Sequence, residues 1–273
     1  MTVLSDRAEL VDMDEGPYHA APALGSTDLK NLLRSPAHYK AAKSAPMASE
    51  ALRVGTLVHE CILEPDTWAL RRDIPDVNKR TKAGKEALQK FYEVAGEEGW
   101  LPVDPDDRAL CEGMRESAMA HRLVRSVLNA ADKREQSCFW RDVSVDPTGI
   151  DCKARFDGLA PGLILDLKTT QDASPGAFRN AVARFDYHVQ AAHYCTGAHA
   201  VTGKWPDYAI LAIEKKPPYA CAVYQLDEDA LAVGFQRRDE AIRRYVRCQQ
   251  EGKWPAYPET VQTLSLPNWA KEW

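Results

Sequence analysis

The segment Asp157-Gly158-Leu159-Ala160-Pro161-Gly162-Leu163-Ile164-Leu165-Asp166-Leu167-Lys168-Thr169-Thr170 constrains the fold more than any other part of this 273-residue chain. Leu163, Ile164 and Leu165 form a continuous apolar run that leads into Asp166, the pattern of a buried strand ending in charge. Side chains at i and i+2 of a strand share a face. Asp166 and Lys168 therefore project together, while Leu165 and Leu167 turn the other way into apolar packing. Upstream, Ile150, Cys152, Ala154 and Phe156 alternate with Asp151, Lys153 and Arg155, which predicts a second strand ending at Asp157. Gly158 to Gly162, with Pro161, supplies the turn between them. The two strands bring Asp157 and Asp166 to neighbouring positions.

A carboxylate and an ammonium at the end of an apolar strand are costly to desolvate. One reading is a surface ion pair, which is common and weak. The other is a divalent cation shared by the two aspartates, with the lysine beside an attacking water. Hard cations such as magnesium favour carboxylate oxygen and complete their shells with phosphate oxygens and water. Two further pieces fit the second reading. His59 lies among apolar neighbours in Gly55-Thr56-Leu57-Val58-His59-Glu60, a predicted helix that stops before Pro65. Gln190 and Tyr194 stand at i and i+4, on one helix face. Singly, each is what a core or surface position also gives; His19, His188 and His193 are read as structural.

Along the chain, residues 1 to about 16 are expected to be loosely ordered. Ser26-Thr27-Asp28 starts a helix with an apolar stripe of Leu29, Leu32 and Leu33, ending before Ser35-Pro36. A short helix over 37–42 follows. Helix N-termini bind anions through free amides, so Ser26, Thr27, Arg34 and Ser35 are candidate phosphate contacts, with plain capping the alternative. After the His59 helix come helices around 85–95 and 105–130. From Gln136 the period changes to that of strands, over 137–145, 150–158 and 163–169, a meander carrying the acids. Ser174-Pro175 opens a helix that breaks near Asp186, and a second helix carries Gln190 and Tyr194 to Gly203. Strands over 208–214 and 219–226 and a helix from Asp227 to about Gln250 complete the pattern. Arg243, Arg244 and Arg247 are read as a solvated face at its basic end. The tail, with Trp254, Trp269 and Trp273, is expected to pack across the surface or against a neighbouring subunit. This describes one α/β domain over 1–273: a mainly helical part to 135, a mixed central sheet over 136–226 flanked by helices, then the C-terminal helix and tail.

Charge bears on the partner. The net charge of −5 argues against a surface coated in positive potential, yet between Arg71 and Lys90 there are seven Lys or Arg against three acids. Lys79, Arg80, Lys82 and Lys85 concentrate there, as a loop entering a helix, and a local basic patch suffices to meet nucleic acid. A solvated surface is the plain alternative. No apolar run approaches the length of a membrane span, and Met1 to Gly16 is acidic without an apolar core, so no secretory signal is expected. Seven scattered cysteines without a C-x-x-C pair disfavour disulfides and zinc ribbons and suit a reducing cytoplasm.

The order His59, Asp157, Asp166-x-Lys168, Gln190-x-x-x-Tyr194 resembles the RecB-type branch of the PD-(D/E)XK nuclease superfamily, and within it the nuclease domain of exodeoxyribonuclease VIII and related phage recombination exonucleases. Tyr18-His19, the stretch from Ser26 to Tyr39, Arg80 to Lys85, Tyr187 to Tyr194 and Leu266-Pro267-Asn268-Trp269 share in it. Phe156 stands where the superfamily's name implies proline. The resemblance implies a restriction-endonuclease-like core. It also implies His59, Asp157, Asp166 and the Leu167 carbonyl as ligands to Mg2+, with Mn2+ as a substitute. Lys168 then orients or activates the water, while Gln190 and Tyr194 support the lysine and contact DNA. It favours phosphate contact by Lys79, Arg80, Lys82 and Lys85. Its function would be degradation of linear double-stranded DNA, 5′→3′, leaving 3′ overhangs for a single-strand annealing partner, by a ring-shaped homo-oligomer in a bacterial cytoplasm, phage or prophage encoded. The cysteines that an iron–sulfur cluster would need are missing, so none is expected. An endonuclease or single-strand repair nuclease of the same fold, and a silent DNA-binding or partner-binding module, are the alternatives.

Overall fold

A computed structural model describes residues 8–45 and 49–266. Its first half runs β1 (Glu9–Val11), α1 (Glu15–Ala20), α2 (Ser26–Arg34), α3 (Pro36–Ser44), α4 (Glu50–Leu63), α5 (Pro65–Trp68), β2 (Arg71–Asp73), α6 (Lys82–Glu98), β3 (Leu101–Val103), α7 (Pro105–Ala120) and α8 (Arg122–Ala130). The second half runs β4 (Lys133–Asp142), β5 (Ile150–Ala160), β6 (Leu163–Thr170), α9 (Pro175–Arg184), α10 (Tyr187–Thr202), β7 (Asp207–Glu214), β8 (Cys221–Gln225) and α11 (Glu228–Glu251). The main sheet has the order β1-β4-β5-β6-β7-β8, with a separate β2-β3 pair. Only β6 and β7 run parallel within it; the α9–α10 crossover makes this possible, because parallel strands need a connection long enough to return over a face.

Two apolar layers lie on the sheet. On one side Cys152, Ala154, Phe156, Ile164, Ile210 and Ala212 pack against α2, α9, α10 and α11. On the other, Leu165, Leu167, Leu211 and Ile213 meet α4, α7 and α8 through Val58, Cys61, Met114 and Leu128. The alternation along β6 is the one the sequence demands. This is a mixed α/β, restriction-endonuclease-like fold. Among the described residues no helix is long and apolar enough to cross a membrane. The cysteines are free, and all but Cys221 are buried.

Local chemistry explains where elements start and stop. Ser35 Oγ accepts the His38 amide at 3.2 Å and caps α3, Thr81 caps α6, and Asp227 accepts from Ala230 N at 2.8 Å to cap α11. At α2 the cap is reversed: Asp28 reaches back to the Gly25 amide at 2.9 Å. Strand β4 begins at Lys133, earlier than the hydrophobic pattern predicts, because pairing with β5 extends to Lys133 opposite Leu159. It ends at Asp142, whose carboxylate turns inward on Ser144 N at 2.9 Å. The described part of the N-terminal stretch expected to be loose, residues 8–16, holds β1, which pairs with β4 through Glu9↔Phe139, and the first turn of α1. Lys153, polar by pattern, is buried and donates to the carbonyls of Tyr18, His19 and Ala21. Arg244 is not part of a solvated face: it donates to the Leu33 carbonyl at 2.9 Å, at the C-terminal end of α2. In the tail, Trp254 stacks on Tyr39 at 5.5 Å. Pro267 to Trp269 and Trp273 lie outside the described residues.

Helix α10 is buried along most of its length and rich in small residues, which lets neighbours approach closely. Gly234 of α11 is the tightest such point, since a Cβ there would stand 2.9 Å from the His188 carbonyl carbon. Gly234→Ala should therefore lower the unfolding free energy by about 1–3 kcal/mol, the usual cost of overpacking. Denaturant titration checks this; an unchanged midpoint would show that α10 and α11 separate freely.

Candidate active site

The chemistry gathers where the β5–β6 ladder opens. That ladder is paired at Ala160↔Leu163, Leu159↔Ile164 and Gly158↔Leu165, one step short of Asp157 and Asp166. There the Asp157 side chain replaces the missing backbone partner, its Oδ2 accepting the Leu167 amide at 2.6 Å. On the other flank, pairing of Gln136 with Phe156 and of Arg134 with Gly158 sets Glu135 opposite Asp157. Three acids thus lie in a row across β4, β5 and β6. Glu135 has φ of 49°, a left-handed conformation uncommon for a non-glycine residue and rarer still within a strand.

His59 descends from α4, held by the buried Val58 and Cys61 beside it. Its Nε2 is 3.0 Å from the Leu167 carbonyl oxygen; its Nδ1 is 3.7 Å from Asp157 Oδ2 and 3.9 Å from Glu135 Oε1. Ligand atoms of His59, Glu135 and Asp157 all lie within 4.8 Å of one another. Glu135 Oε2 accepts from Arg155 Nε at 2.8 Å, while its Oε1 is buried without a hydrogen-bond partner. An orphaned carboxylate oxygen, a second carboxylate, one imidazole and a nearby carbonyl form a donor set rich in hard oxygen. Such a set fits a cation of the magnesium or manganese kind better than a thiophilic metal.

Asp166 stands beside this trio. Its Oδ1 accepts from Lys168 Nζ at 2.7 Å and from Gln190 Nε2 at 2.8 Å, and the ammonium lies 2.6 Å from Oδ2 as well. Burial raises the Asp157 carboxyl above its ordinary value; His59 pulls it back and Asp166 adds to the rise. Burial opposes protonation of His59, but Asp157 and Glu135 hold the imidazole above its usual value. Burial likewise opposes the Lys168 charge, and Asp166 and Asp157 outweigh it, so the ammonium is held above its usual value. An open cleft of about 500 Å³ exposes the site, lined by His59, Glu135, Leu167, Lys168 and Tyr187.

The remaining candidates divide. Tyr194 shares α10 with Gln190 but is buried, its ring edge-on to Phe156 at 5.5 Å and to Tyr208 at 6.4 Å. It does not line the cleft, so the expected DNA contact gives way to a packing role, the two aromatic neighbours having drawn the ring into the core. Ser35 is buried and engaged with His38, and Ser26 is buried in the first turn of α2, which withdraws both hydroxyls from a phosphate. Thr27 and Arg34 are exposed. Lys79, Arg80, Lys82 and Lys85 are exposed around the start of α6, which begins at Lys82 rather than Lys85. His193 is structural, its Nε2 3.1 Å from the Lys153 carbonyl and its imidazole pushed down to about 4 by burial.

Sequence reasoning missed Glu135, Lys30 and Tyr187. Lys30 Nζ donates to Gln190 Oε1 at 3.0 Å, and both Lys30 and Lys168 lie over the Tyr187 ring, at 5.2 and 5.3 Å. Glu135 sits in the charged run Asp132-Lys133-Arg134-Glu135, which looks like a solvated connection. Only the cross-strand register to Asp157 could have singled it out.

The arrangement of acids and lysine at one opening of a mixed sheet defines a PD-(D/E)XK-type domain. The chain belongs to the family described as PDDEXK-like domain of unknown function (DUF3799), whose profile matches residues 25–267. No curated protein matches it in sequence. Among solved structures, it is similar to a protein of Eubacterium rectale provisionally named an exonuclease. The two are 15% identical, with a TM-score of 0.61, over 94% of this chain and 96% of that one, a likeness of fold. A second, SSO0001, is 14% identical with a TM-score of 0.29, over 70% and 86% of the two chains, too low to carry meaning.

The donor set makes a direct prediction. The Asp157 carboxyl, pushed up to about 7 by burial, and the His59 imidazole, held above its usual value, must both shed their protons to bind a cation. Mn2+ affinity should therefore strengthen as pH rises through about 7. Asp157→Asn should abolish the Mn2+-induced rise in melting temperature, and Glu135→Gln should weaken binding by about 10-fold to 100-fold. Unaltered Mn2+ titration of Glu135→Gln would remove Glu135 from the ligand set.

Proposed function

We propose that this chain is a divalent-metal-dependent deoxyribonuclease that degrades linear double-stranded DNA from its ends. The observation that carries this reading is the convergence of His59, Glu135 and Asp157 within 4.8 Å, beside a lysine fixed on Asp166 at the wall of an open cleft. The family match and the name of the Eubacterium rectale neighbour support it. The finer form is 5′→3′ polarity, leaving 3′ strands for a single-strand annealing protein, with a ring-shaped homo-oligomer enclosing the duplex; it rests on the motif resemblance alone.

In this reading His59, Asp157, Glu135 and the Leu167 carbonyl would hold the cation, with Asp166 as the further acid that the resemblance implies. Bound there, a Mg2+ ion supplies Lewis acidity toward a phosphoryl oxygen and a more acidic water. The protein's own contribution is positional. Lys168, charged and buried on one side, presents its ammonium to the cleft, where it can orient a water and offset charge building on phosphorus. Gln190 braces the carboxylate on which that lysine rests. Exposed Lys79, Arg80, Lys82 and Lys85 are available to phosphates farther along the strand, contacts that weaken steeply with salt.

Linear duplex labelled at either the 5′ or the 3′ end, incubated with and without Mg2+, tests activity, polarity and metal need together. The expected result is Mg2+-dependent loss of the 5′ label as mononucleotide, with a closed circular plasmid left intact. Cutting of the circle would make the enzyme an endonuclease. Lys168→Ala should slow cleavage by about 10²–10⁴-fold, the range of a positioned proton-transfer or electrostatic group, while still binding DNA. Full cleavage by that variant would end the assignment.

A further inference from the structure

One half-buried cation near the site, Lys30, is absent from the mechanism above. Lys30 lies on α2 between Leu29 and Leu32's turn, and both leucines are wholly buried in the core beneath it. Its ammonium makes one hydrogen bond among the described residues, to Gln190 Oε1. Gln190 Nε2 in turn donates to Asp166 Oδ1, the oxygen that Lys168 also holds. The chain Lys30–Gln190–Asp166–Lys168 thus crosses from a helix of the N-terminal region to the acid strand.

The direction of each bond in that chain is fixed by chemistry. A lysine ammonium only donates, so it can face only the oxygen of an amide. With that oxygen engaged, the Gln190 NH2 must point to Asp166. An ionised carboxylate only accepts, so the two ends of the amide are satisfied in one orientation and frustrated in the other. Lys30 also has a cost that a plain brace would not carry. Burial and the neighbouring Lys168 pull its ammonium down to about 8, against the favourable pull of Asp166. Both cations share one aromatic ring, Tyr187, whose face offsets part of their mutual repulsion.

We propose that Lys30 is a positioning residue of the catalytic centre: by fixing the Gln190 amide it holds the Asp166 carboxylate in the one orientation that keeps Lys168 presented to the cleft. The inference rests on the nuclease reading. It requires that Lys30 act through Gln190 and not by touching the DNA itself.

A double-mutant cycle on the full chain tests this, with Lys30→Met, Gln190→Ala and the double variant assayed on linear duplex with Mg2+. DNA affinity is measured separately with Ca2+ replacing Mg2+, and thermal unfolding confirms that each variant folds. Lys30→Met should lower kcat by about 10-fold to 100-fold, as loss of a group that orients a ligand from behind does, with KM and DNA affinity within about twofold. In the Gln190→Ala background the same substitution should add little, because residues in one hydrogen-bond network couple. Lys30→Arg, which keeps donors and charge, should recover most of the loss, and it also serves where Lys30→Met fails to fold. Additive effects, a raised KM with unchanged kcat, or weakened DNA binding would each overturn the proposal while leaving the nuclease reading intact. A wild-type chain that cleaves nothing would instead sink that reading, and this one with it.

Discussion

The site depends on crowding negative charge where a sheet comes apart. Carboxylate oxygens of Glu135 and Asp157 approach within 4.8 Å, which at an effective dielectric near 20 amounts to a repulsion of about 3–4 kcal/mol. Asp166 adds a third acid on the next strand. The protein sets against this Arg155 on Glu135, His59 beside Asp157, the Leu167 amide on Asp157 and Lys168 on Asp166. These contacts leave Glu135 Oε1 without a partner. Buried acids are held so close only when something compensates them, and under the proposed function a divalent cation would complete the compensation that the side chains leave unfinished.

Topology delivers the groups that surround these acids. Because β6 and β7 are parallel, the chain must cross one face of the sheet between them, and it does so as α9 and α10. That crossover sets Gln190 over the end of β6 without any long side chain having to span the distance. The small residues of α10 and Gly234 of α11 allow close packing, so the height of Gln190 above Asp166 is fixed by backbone contact. The other face supplies His59 through α4, whose apolar residues meet Leu165 and Leu167. One strand thus offers its odd residues to α4 as packing, while its even residues Asp166 and Lys168 carry charge on the opposite side.

This division explains what could be read from the sequence. The strands carrying Asp157 and Asp166, the helix break at Asp186 and the i, i+4 pair on α10 follow from periodicity, because burial on a defined face leaves a repeating mark. Glu135 leaves none. It precedes the apolar part of β4, adopts a left-handed conformation and lies among charged neighbours, so its partner relation exists only through cross-strand register. Lys30 is hidden for a different reason: within an amphipathic helix a lysine reads as solvent-facing, and only the placement of α10 turns it into a half-buried donor to Gln190. The parallel pair β2 and β3 is three residues a strand, too short for alternation to register. Tyr194 shows the converse. Its spacing from Gln190 is right for a shared face, yet Phe156 and Tyr208 claim the ring.

Charge also shapes how a strand could approach. The cleft is lined by Asp14, Glu15, Glu64 and Glu135 against Arg155 and Lys168, with Glu60 paired to Arg71, so acids outnumber bases where a polyanion would have to approach. Under the proposed function the cation does more than chemistry, since it reverses the local potential that a phosphate meets. Cation and DNA would then favour each other's binding, as any two ligands of opposite charge at one site must. The exposed basic residues at the start of α6 can attract the backbone at a distance, without relieving the repulsion at the mouth. A chain with net charge −5 is then compatible with nucleic-acid binding. Under that reading the basic patch would supply attraction at a distance, and entry to the acidic cleft would wait on the metal.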